Sequence, residues 1–176
     1  DKDALMSHLF ATTDLQKNVR VNLNVIGLSG RPKVYDLREI LKEWITFRTQ
    51  TVKRRLQHRL DWLNDRLHIL EGLMIAYLNL DEVIKIIRTH DDPKKQLIKK
   101  FKLTEIQANA ILDIRLRQLA KLEEQSIIEE RDSLKSEAKE IEKILNSASR
   151  LKTLIKKELK EDQEEFGDER NSMLAE

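Results

Sequence analysis

The sequence contains no cysteine, little glycine and proline, and few aromatic residues, and each shortage excludes a class of protein. Without cysteine the chain has no disulfide framework, no thiol nucleophile and no cysteine ligand for zinc. Four scattered histidines do not favour a zinc site either. Only 4 glycines and 2 prolines interrupt the chain, and aromatic residues make up 5% of it. This composition favours long helices over a sheet-rich core.

Neither sign of charge dominates the chain. The 33 basic residues nearly balance the 31 acidic ones, which argues against both a polycation and an acidic disordered tail. No stretch approaches the roughly 18 consecutive apolar residues of a membrane helix, and the N-terminus lacks the pattern of a signal peptide. We therefore expect a soluble protein without a membrane partner. The first residue is Asp1 rather than Met, which indicates a segment of a longer protein.

The N-terminal region, residues 1–35, shows two different periods. Residues 3–11 have the apolar spacing of a short helix. Residues 19–25 then alternate valine and leucine with polar residues, which predicts a strand with one apolar face. The turn-forming residues 29–32 separate this strand from a brief second strand at residues 33–35. We expect a small β element here.

Residues 36–78 predict one long outgoing helix. Asp36 is a suitable N-cap, no proline follows, and Gly72 is the only glycine, so the helix is roughly 65 Å long. Its apolar residues repeat in steps of three and four, which is the seam of a coiled coil and requires a partner helix. The seam consists of Leu56, Leu60, Leu63, Leu67, Leu70 and Met74.

The partner is predicted at residues 122–166, which contain no glycine or proline before Gly167. The connection between the two seams is short, so they can pair only by running antiparallel. The fold class is therefore mainly α: a long antiparallel coiled-coil hairpin with a small helical head. The returning seam consists of Leu134, Ala138, Ile141, Leu145 and Ala148, followed by Leu151, Ile155 and Leu159.

Residues 79–121 predict a head of three short helices because each has a capping signal. Asn79 precedes an acidic first turn, Asp92 stands before Pro93, and Thr104 has capping-box spacing to Gln107. The head is too small to enclose all of its apolar side chains, although most of them can form its internal core. Those offered to a second protomer would form a two-fold contact. The candidate contact residues are Ile84, Ile87, Phe101, Ile111, Leu112, Ile114 and Leu116, with a polar rim of Arg88, Arg115, Arg117 and Gln118.

A run of basic residues lies on the outgoing helix, with no acidic residue between Trp44 and Leu60. Two hypotheses remain open for it. Its members pair with acidic residues of the returning helix, in which case Arg59 lies level with Ile141, or they contact DNA phosphates. The candidates for DNA contact are Arg54, Arg55 and Arg59, beside Arg48 and Lys53.

The sequence provides no catalytic or metal site of its own. His58, Asp61, Asp65 and His68 share one helix face, but such spacings arise by chance on a long surface helix, and we predict no metal there. Asp91 and Asp92 are better explained by helix capping than by Mg²⁺ binding. No phosphate-binding loop and no hydrolase or zinc-protease motif occurs.

The chain contains a series of ordered motifs: Arg54-Arg55-Leu56-Gln57, His68-Ile69-Leu70-Glu71-Gly72-Leu73, Tyr77-Leu78-Asn79-Leu80-Asp81-Glu82-Val83-Ile84, Ile87-Arg88, Thr104-Glu105, Gln107-Ala108, Ala110-Ile111-Leu112-Asp113, Arg115-Leu116-Arg117 and Leu119-Ala120-Lys121-Leu122-Glu123. These motifs resemble the A subunits of bacterial type IIA DNA topoisomerases, and topoisomerase IV more than gyrase. Gyrase A subunits usually have Thr-Gly where this chain has Ala120-Lys121, and many have a longer insertion in the head. Gly167-Asp168-Glu169-Arg170 resembles the end of the breakage-reunion core.

The resemblance implies that residues 79–121 dimerise as the exit gate of an A₂B₂ enzyme that passes duplex DNA through a transient double-strand break. It implies a cytoplasmic, nucleoid-associated enzyme that relaxes supercoils and decatenates chromosomes. ATP and Mg²⁺ would act through the B subunit, so we expect no cofactor in this segment. The family's catalytic tyrosine follows an arginine, whereas Tyr35 and Tyr77 do not, so neither takes that role and the segment alone is expected to be inactive. The alternatives are a gyrase A segment and a non-enzymatic coiled-coil interaction module.

Overall fold

The computed structural model describes residues 1–15, 17, 19–115, 121–169 and 171, with the side chains of 121–124 left aside. Its contacts divide the chain into two units, residues 1–48 and residues 49–176. The described residues form seven helices and one two-stranded antiparallel sheet. The expected mainly α fold with a short β element is therefore confirmed.

The first unit contains a short helix and a β-hairpin. Helix α1 spans Lys2–Thr12, strand β1 spans Asn24–Ile26 and strand β2 spans Pro32–Val34. In the antiparallel register Asn24 faces Val34 and Ile26 faces Pro32. Gly30 has a φ of 73° in the connecting turn, a conformation that glycine adopts without steric cost. The turn predicted at residues 29–32 is therefore present.

Strand β1 is shorter than the alternation of residues 19–25 predicts. Val19 and Val21 are 81% and 72% exposed, and neither belongs to the strand. The last hydrogen bond of the ladder joins the Tyr35 amide to the Leu23 carbonyl at 2.9 Å. The returning chain enters a helix directly afterwards, so it has no further backbone groups with which to pair.

Helix α2 spans Leu37–Leu78 as one uninterrupted helix of 42 residues and about 63 Å. The sequence indicated Asp36 as the N-cap, and the structure shows a reciprocal capping box between Asp36 and Glu39. The Asp36 carboxylate accepts a hydrogen bond from the Glu39 amide at 2.6 Å, and the Glu39 carboxylate accepts one from the Asp36 amide at 3.4 Å.

Three short helices follow α2 and form the head: α3 spans Leu80–Thr89, α4 spans Pro93–Phe101 and α5 spans Glu105–Leu112. Asp92 caps α4 through the Lys95 amide, and a complete capping box between Thr104 and Gln107 begins α5. Asn79 makes no cap bond, since its side chain donates to the Ile75 carbonyl instead. The core of the head consists of Ala76, Val83, Ile86, Leu97, Leu103 and Ile111.

The returning segment is two helices rather than the single helix expected for residues 122–166. Helix α6 spans Lys121–Leu145 and α7 spans Ala148–Phe166. The break needs neither glycine nor proline, because the Ser147 side chain accepts from the Arg150 amide and caps α7. The break also changes which residues of the returning segment are buried. Ala148 is exposed, and Ile144 packs towards α7 in its place.

Two apolar clusters join α2 to the returning helices. The first cluster contains Leu60, Leu63, Ala138 and Ile141, with Leu56, Leu67, Leu134 and Leu145 packed against it. The second contains Val52, Leu151 and Ile155, with Leu56, Ile144, Leu154 and Leu159 packed against it. Leu70 is also fully buried. Gly167 ends α7 with a φ of −78°, so it is not the left-handed cap that a glycine in this position suggests.

Candidate functional site

An apolar concavity of about 360 Å³ lies on the head, between the end of α2, α3 and the segment that ends α5. Helix α3 presents Ile84 and Ile87 to it, and these side chains are 39% and 42% exposed. They are adjacent on one helix face, because residues three apart in a helix are neighbours. The described residues leave this apolar surface open to solvent.

The structure brings five of the seven predicted contact residues to this concavity: Ile84, Ile87, Ile111, Leu112 and Ile114. Ile111 is 3% exposed and also belongs to the head core, so it contributes only an edge to the surface.

Phe101 and Leu116 are the other two predicted contact residues. Phe101 packs against the internal core of the head, and Leu116 lies outside the described residues. Sequence reasoning missed Ala76, Tyr77, Leu80 and Val83, which also line the concavity. The heptad count on α2 ended before Ala76, although the apolar period continues from Leu73 to Leu80.

The polar rim predicted around the contact is described in part. Arg88 lines the concavity, which places a cation beside the exposed isoleucines. Arg115 is exposed, whereas Arg117 and Gln118 lie outside the described residues.

The charged flank of the arms is held by ion pairs that cross from α2 to α6. Arg59 donates two hydrogen bonds to the Glu137 carboxylate, at 2.8 and 3.0 Å, and Arg66 binds Glu130 with the same two distances. The interval from Arg59 to Arg66 equals that from Glu130 to Glu137 in the opposite direction, which is the mark of antiparallel pairing. The expected register places Arg59 level with Ile141, one helical turn from its actual partner.

These bidentate contacts change the acidity of the paired groups. The hydrogen bond from Arg59 lowers the pKa of the Glu137 carboxyl below its ordinary value, and the same bond raises the pKa of Arg59. Arg59 also lies over the ring of Trp62, 4.6 Å from its centroid. Both contacts hold the Arg59 guanidinium against the protein.

The two other candidates for DNA contact differ from each other. Arg55 forms an ion pair with Glu158 of α7, so α7 does not continue the register of α6. Arg54 is exposed, and its described contact is a long 3.4 Å hydrogen bond to Thr51 of its own helix. Lys53 beside it is also exposed, and neither residue has an acidic partner among the described residues. The basic run therefore divides into paired and solvated members.

The residues considered for metal binding have other contacts. Asp61 accepts a hydrogen bond from Gln57, and His68 bonds to Thr104 of the head at 2.7 Å. Within the described ranges, no group of three or more potential metal ligands is found. Tyr35 is nearly buried, and its hydroxyl donates to Glu43 at 3.0 Å. Burial of the ring, together with this bond, raises the pKa of Tyr35.

None of the helices in the described part of the chain is long and apolar enough to cross a membrane.

Comparison with known proteins identifies the family to which this fold and these arms belong. A family model of the A subunit of DNA gyrase and topoisomerase IV matches residues 1–160. The chain therefore belongs to the family of A subunits of these type IIA topoisomerases.

Individual relatives narrow the comparison to one of the two enzymes that the family model covers. The chain is 58% identical over all 176 residues to the DNA topoisomerase 4 A subunit of Haemophilus influenzae, 54% over 176 residues to that of Escherichia coli and 56% over 175 residues to that of Pseudomonas aeruginosa. These alignments cover 100%, 100% and 99% of this chain. They cover 24%, 23% and 23% of the relatives, so the chain matches about a quarter of each relative's length.

Proposed function

We propose that this segment is the exit gate of a topoisomerase IV-type A subunit, and that two copies close the gate through the apolar concavity of the head. The observation that carries the proposal is the exposure of Ile84 and Ile87 beside a cavity that the described residues of the head leave open. The three relatives compared above are named as A subunits of topoisomerase 4, which favours this assignment over gyrase. A generic coiled-coil module has no need of a capped head with such a surface.

The character of the surface fits a contact that must open. A two-fold axis uses one patch twice, so the isoleucines of one head can fill the concavity of the other. Arg88 at the edge supplies a polar rim, and a moderate interface with a polar rim dissociates more readily than a wholly apolar one. The arms behind each head are stiffened by the paired clusters and ion pairs of α2 and α6.

In the complete enzyme, the gate would release a DNA duplex that has passed through a double-strand break in another duplex. Linked chromosomes would be separated and supercoils relaxed by an A₂B₂ assembly that acts on the nucleoid in the cytoplasm. ATP and Mg²⁺ would act through the B subunit. The nucleophilic tyrosine would come from outside this segment, since neither Tyr35 nor Tyr77 follows an arginine as the family's catalytic tyrosine does. We therefore expect this segment alone not to cleave DNA.

The gate assignment is tested by placing a charge in the concavity. Replacing Ile87 by aspartate should weaken self-association at least about tenfold, because an unpaired carboxylate would be desolvated in the contact. Sedimentation equilibrium at several protein concentrations measures the effect. Ile106→Asp is the matched control, since Ile106 is 60% exposed on the same head and does not line the concavity.

Two results would contradict the gate. One is a parent chain that stays monomeric at high concentration, and the other is equal association of the Ile87→Asp and Ile106→Asp variants. Circular dichroism should be unchanged in both variants, because both isoleucines are already exposed to water.

We further propose that, of the three candidates for DNA contact, Arg54 is the one that binds DNA, because the other two, Arg55 and Arg59, are already paired with Glu158 and Glu137. In the full-length protein that carries this segment, Arg54→Glu should lower DNA affinity and reduce its salt dependence by about one unit per contact. The melting temperature should hardly change. Arg59→Glu is the matched variant. It should lower the melting temperature, because it places a second carboxylate beside Glu137, and it should leave DNA affinity nearly unchanged. Equal affinity and salt slope for Arg54→Glu and the parent would exclude the contact.

A further inference from the structure

A polar joint connects the long helix α2 to helix α5 of the head. It consists of four residues, His68 and Gly72 on α2 with Thr104 and Gln107 at the start of α5. The residues on α2 are more than 30 positions away in sequence from those at the start of α5. The joint is therefore a tertiary contact between two helices. It lies apart from the concavity, but α5 also carries Ile111 and Leu112, which line that surface.

The amide of Gln107 is the centre of this joint. Gln107 is 7% exposed, and both ends of its amide are bound. Its Oε1 accepts from the Thr104 amide at 3.0 Å, which completes the capping box of α5. Its Nε2 donates to the backbone carbonyl of His68 at 2.8 Å. One buried side chain therefore caps α5 and attaches it to α2 at the same time.

Gly72 permits the close approach that this bond requires. A Cβ atom at Gly72 would lie 2.7 Å from both Cβ and Cγ of Gln107, closer than two carbon atoms can pack. Any larger residue at this position would push α5 away from α2 or displace the Gln107 side chain. Gly72 is the only glycine in α2, and the close approach of α5 accounts for the absence of a side chain at this position.

His68 adds a second bond between the two elements. Its Nε2 lies 2.7 Å from the hydroxyl oxygen of Thr104. The same oxygen accepts a hydrogen bond from the backbone N–H of Gln107 at 3.3 Å. Rotation of α5 about α2 would break the His68 bond and the Gln107 bond together. A buried polar group that loses its partner destabilises the state that leaves it unsatisfied, so the joint strongly favours one orientation.

We propose that Gln107 and Gly72 are positioning residues that fix the head on the long helix, so that head and arm move as one body when the gate opens. The consequence for gating rests on the proposed function, whereas the rigid connection does not. Since α5 contributes to the concavity, the joint sets the direction in which the contact surface faces. Movement of the arm would then be transmitted to the contact surface without loss.

The decisive variant is Gln107→Glu in the full-length protein, with any cysteine outside this segment replaced so that only the introduced cysteines are labelled. Glutamate can still accept from the Thr104 amide, so the capping box survives, but it cannot donate to the His68 carbonyl. Gly72→Ala is a second variant that acts by steric pressure alone. Gln96→Glu on α4 is the matched control, because Gln96 is an exposed glutamine of the same head.

The measurement is the distance between spin labels attached to His58→Cys on α2 and Asn109→Cys on α5, both exposed positions. Labelled protein is diluted with unlabelled protein, so that only intramolecular distances are recorded. We expect one narrow distribution for the parent and the control. In Gln107→Glu and Gly72→Ala, the population of displaced heads should rise about tenfold, as expected for the loss of a satisfied buried bond.

A functional readout separates positioning from simple stability. With the B subunit, both joint variants should decatenate DNA several times more slowly, while DNA cleavage remains at the parental level because its chemistry lies elsewhere. Unchanged distance distributions in both variants would overturn the joint, whatever the sedimentation of Ile87→Asp shows. Broadened distributions with parental decatenation would overturn its role in gating and leave the dimer contact standing.

Discussion

Replacement of Leu63 by alanine is expected to lower the free energy of unfolding by about 2–5 kcal/mol. Leu63 is completely buried, and it packs with Ala138 and Ile141 from the opposite helix. Truncation removes apolar contacts and leaves a cavity, which a hairpin of two long helices cannot collapse without changing its register. Urea denaturation followed by circular dichroism measures the loss.

Leu78→Ala is the matched control for this experiment. Leu78 is a leucine of the same helix, but it is 75% exposed. We expect a change within about 0.5 kcal/mol, as for other surface substitutions. If Leu63→Ala and Leu78→Ala lower the free energy of unfolding equally, the seam does not hold the hairpin together in solution.

Replacement of Leu97 by alanine is expected to have a similarly large effect, confined to the head. Leu97 is fully buried in the head core with Val83, Ile86 and Ile111, and this cluster shares no buried residue with the clusters of the arms. The local stability of the head should fall by about 2–5 kcal/mol. Hydrogen exchange should show faster exchange of amides in α3, α4 and α5, while α6 keeps its protection.

The control for Leu97 is Ile106→Ala, since Ile106 is 60% exposed on the same head. Its exchange pattern should match that of the parent. Equal loss of protection in the head and in α6 of Leu97→Ala would mean that head and arms unfold as one unit. In either case the proposed self-association of the head should weaken in Leu97→Ala, because residues of α3 and α5 line the concavity.

The pattern of apolar residues was sufficient to predict the pairing of the arms, but not where the returning helix is interrupted. Leu60, Leu63 and Ile141 repeat at a period that only a partner helix can satisfy. The break at Ser147 escaped prediction because serine is tolerated inside helices. It becomes an N-cap only where the chain changes direction, and packing against Val52 makes that change favourable.

That the head exposes an apolar surface was predictable from the sequence, but the residues that form this surface were less so. An excess of apolar residues in a small head indicates a partner, since a small domain cannot bury them all. Which of them face outwards depends on how α3, α4 and α5 pack. Phe101 and Ile111 have the same apolar character as Ile87. Ile111 belongs to the head core and Phe101 packs against it, whereas Ile87 remains partly open to solvent.

Local sequence by itself determined the elements of this protein: the caps at Asp36, Asp92 and Thr104, the turn at Gly30 and the heptad seam of α2. Each rests on interactions within a few residues or on a period that repeats along one helix. Only the tertiary structure decided the pairing of Arg59 with Glu137 and the contact of Gln107 with His68. These contacts join residues far apart in the chain, so they depend on the register and packing of whole helices.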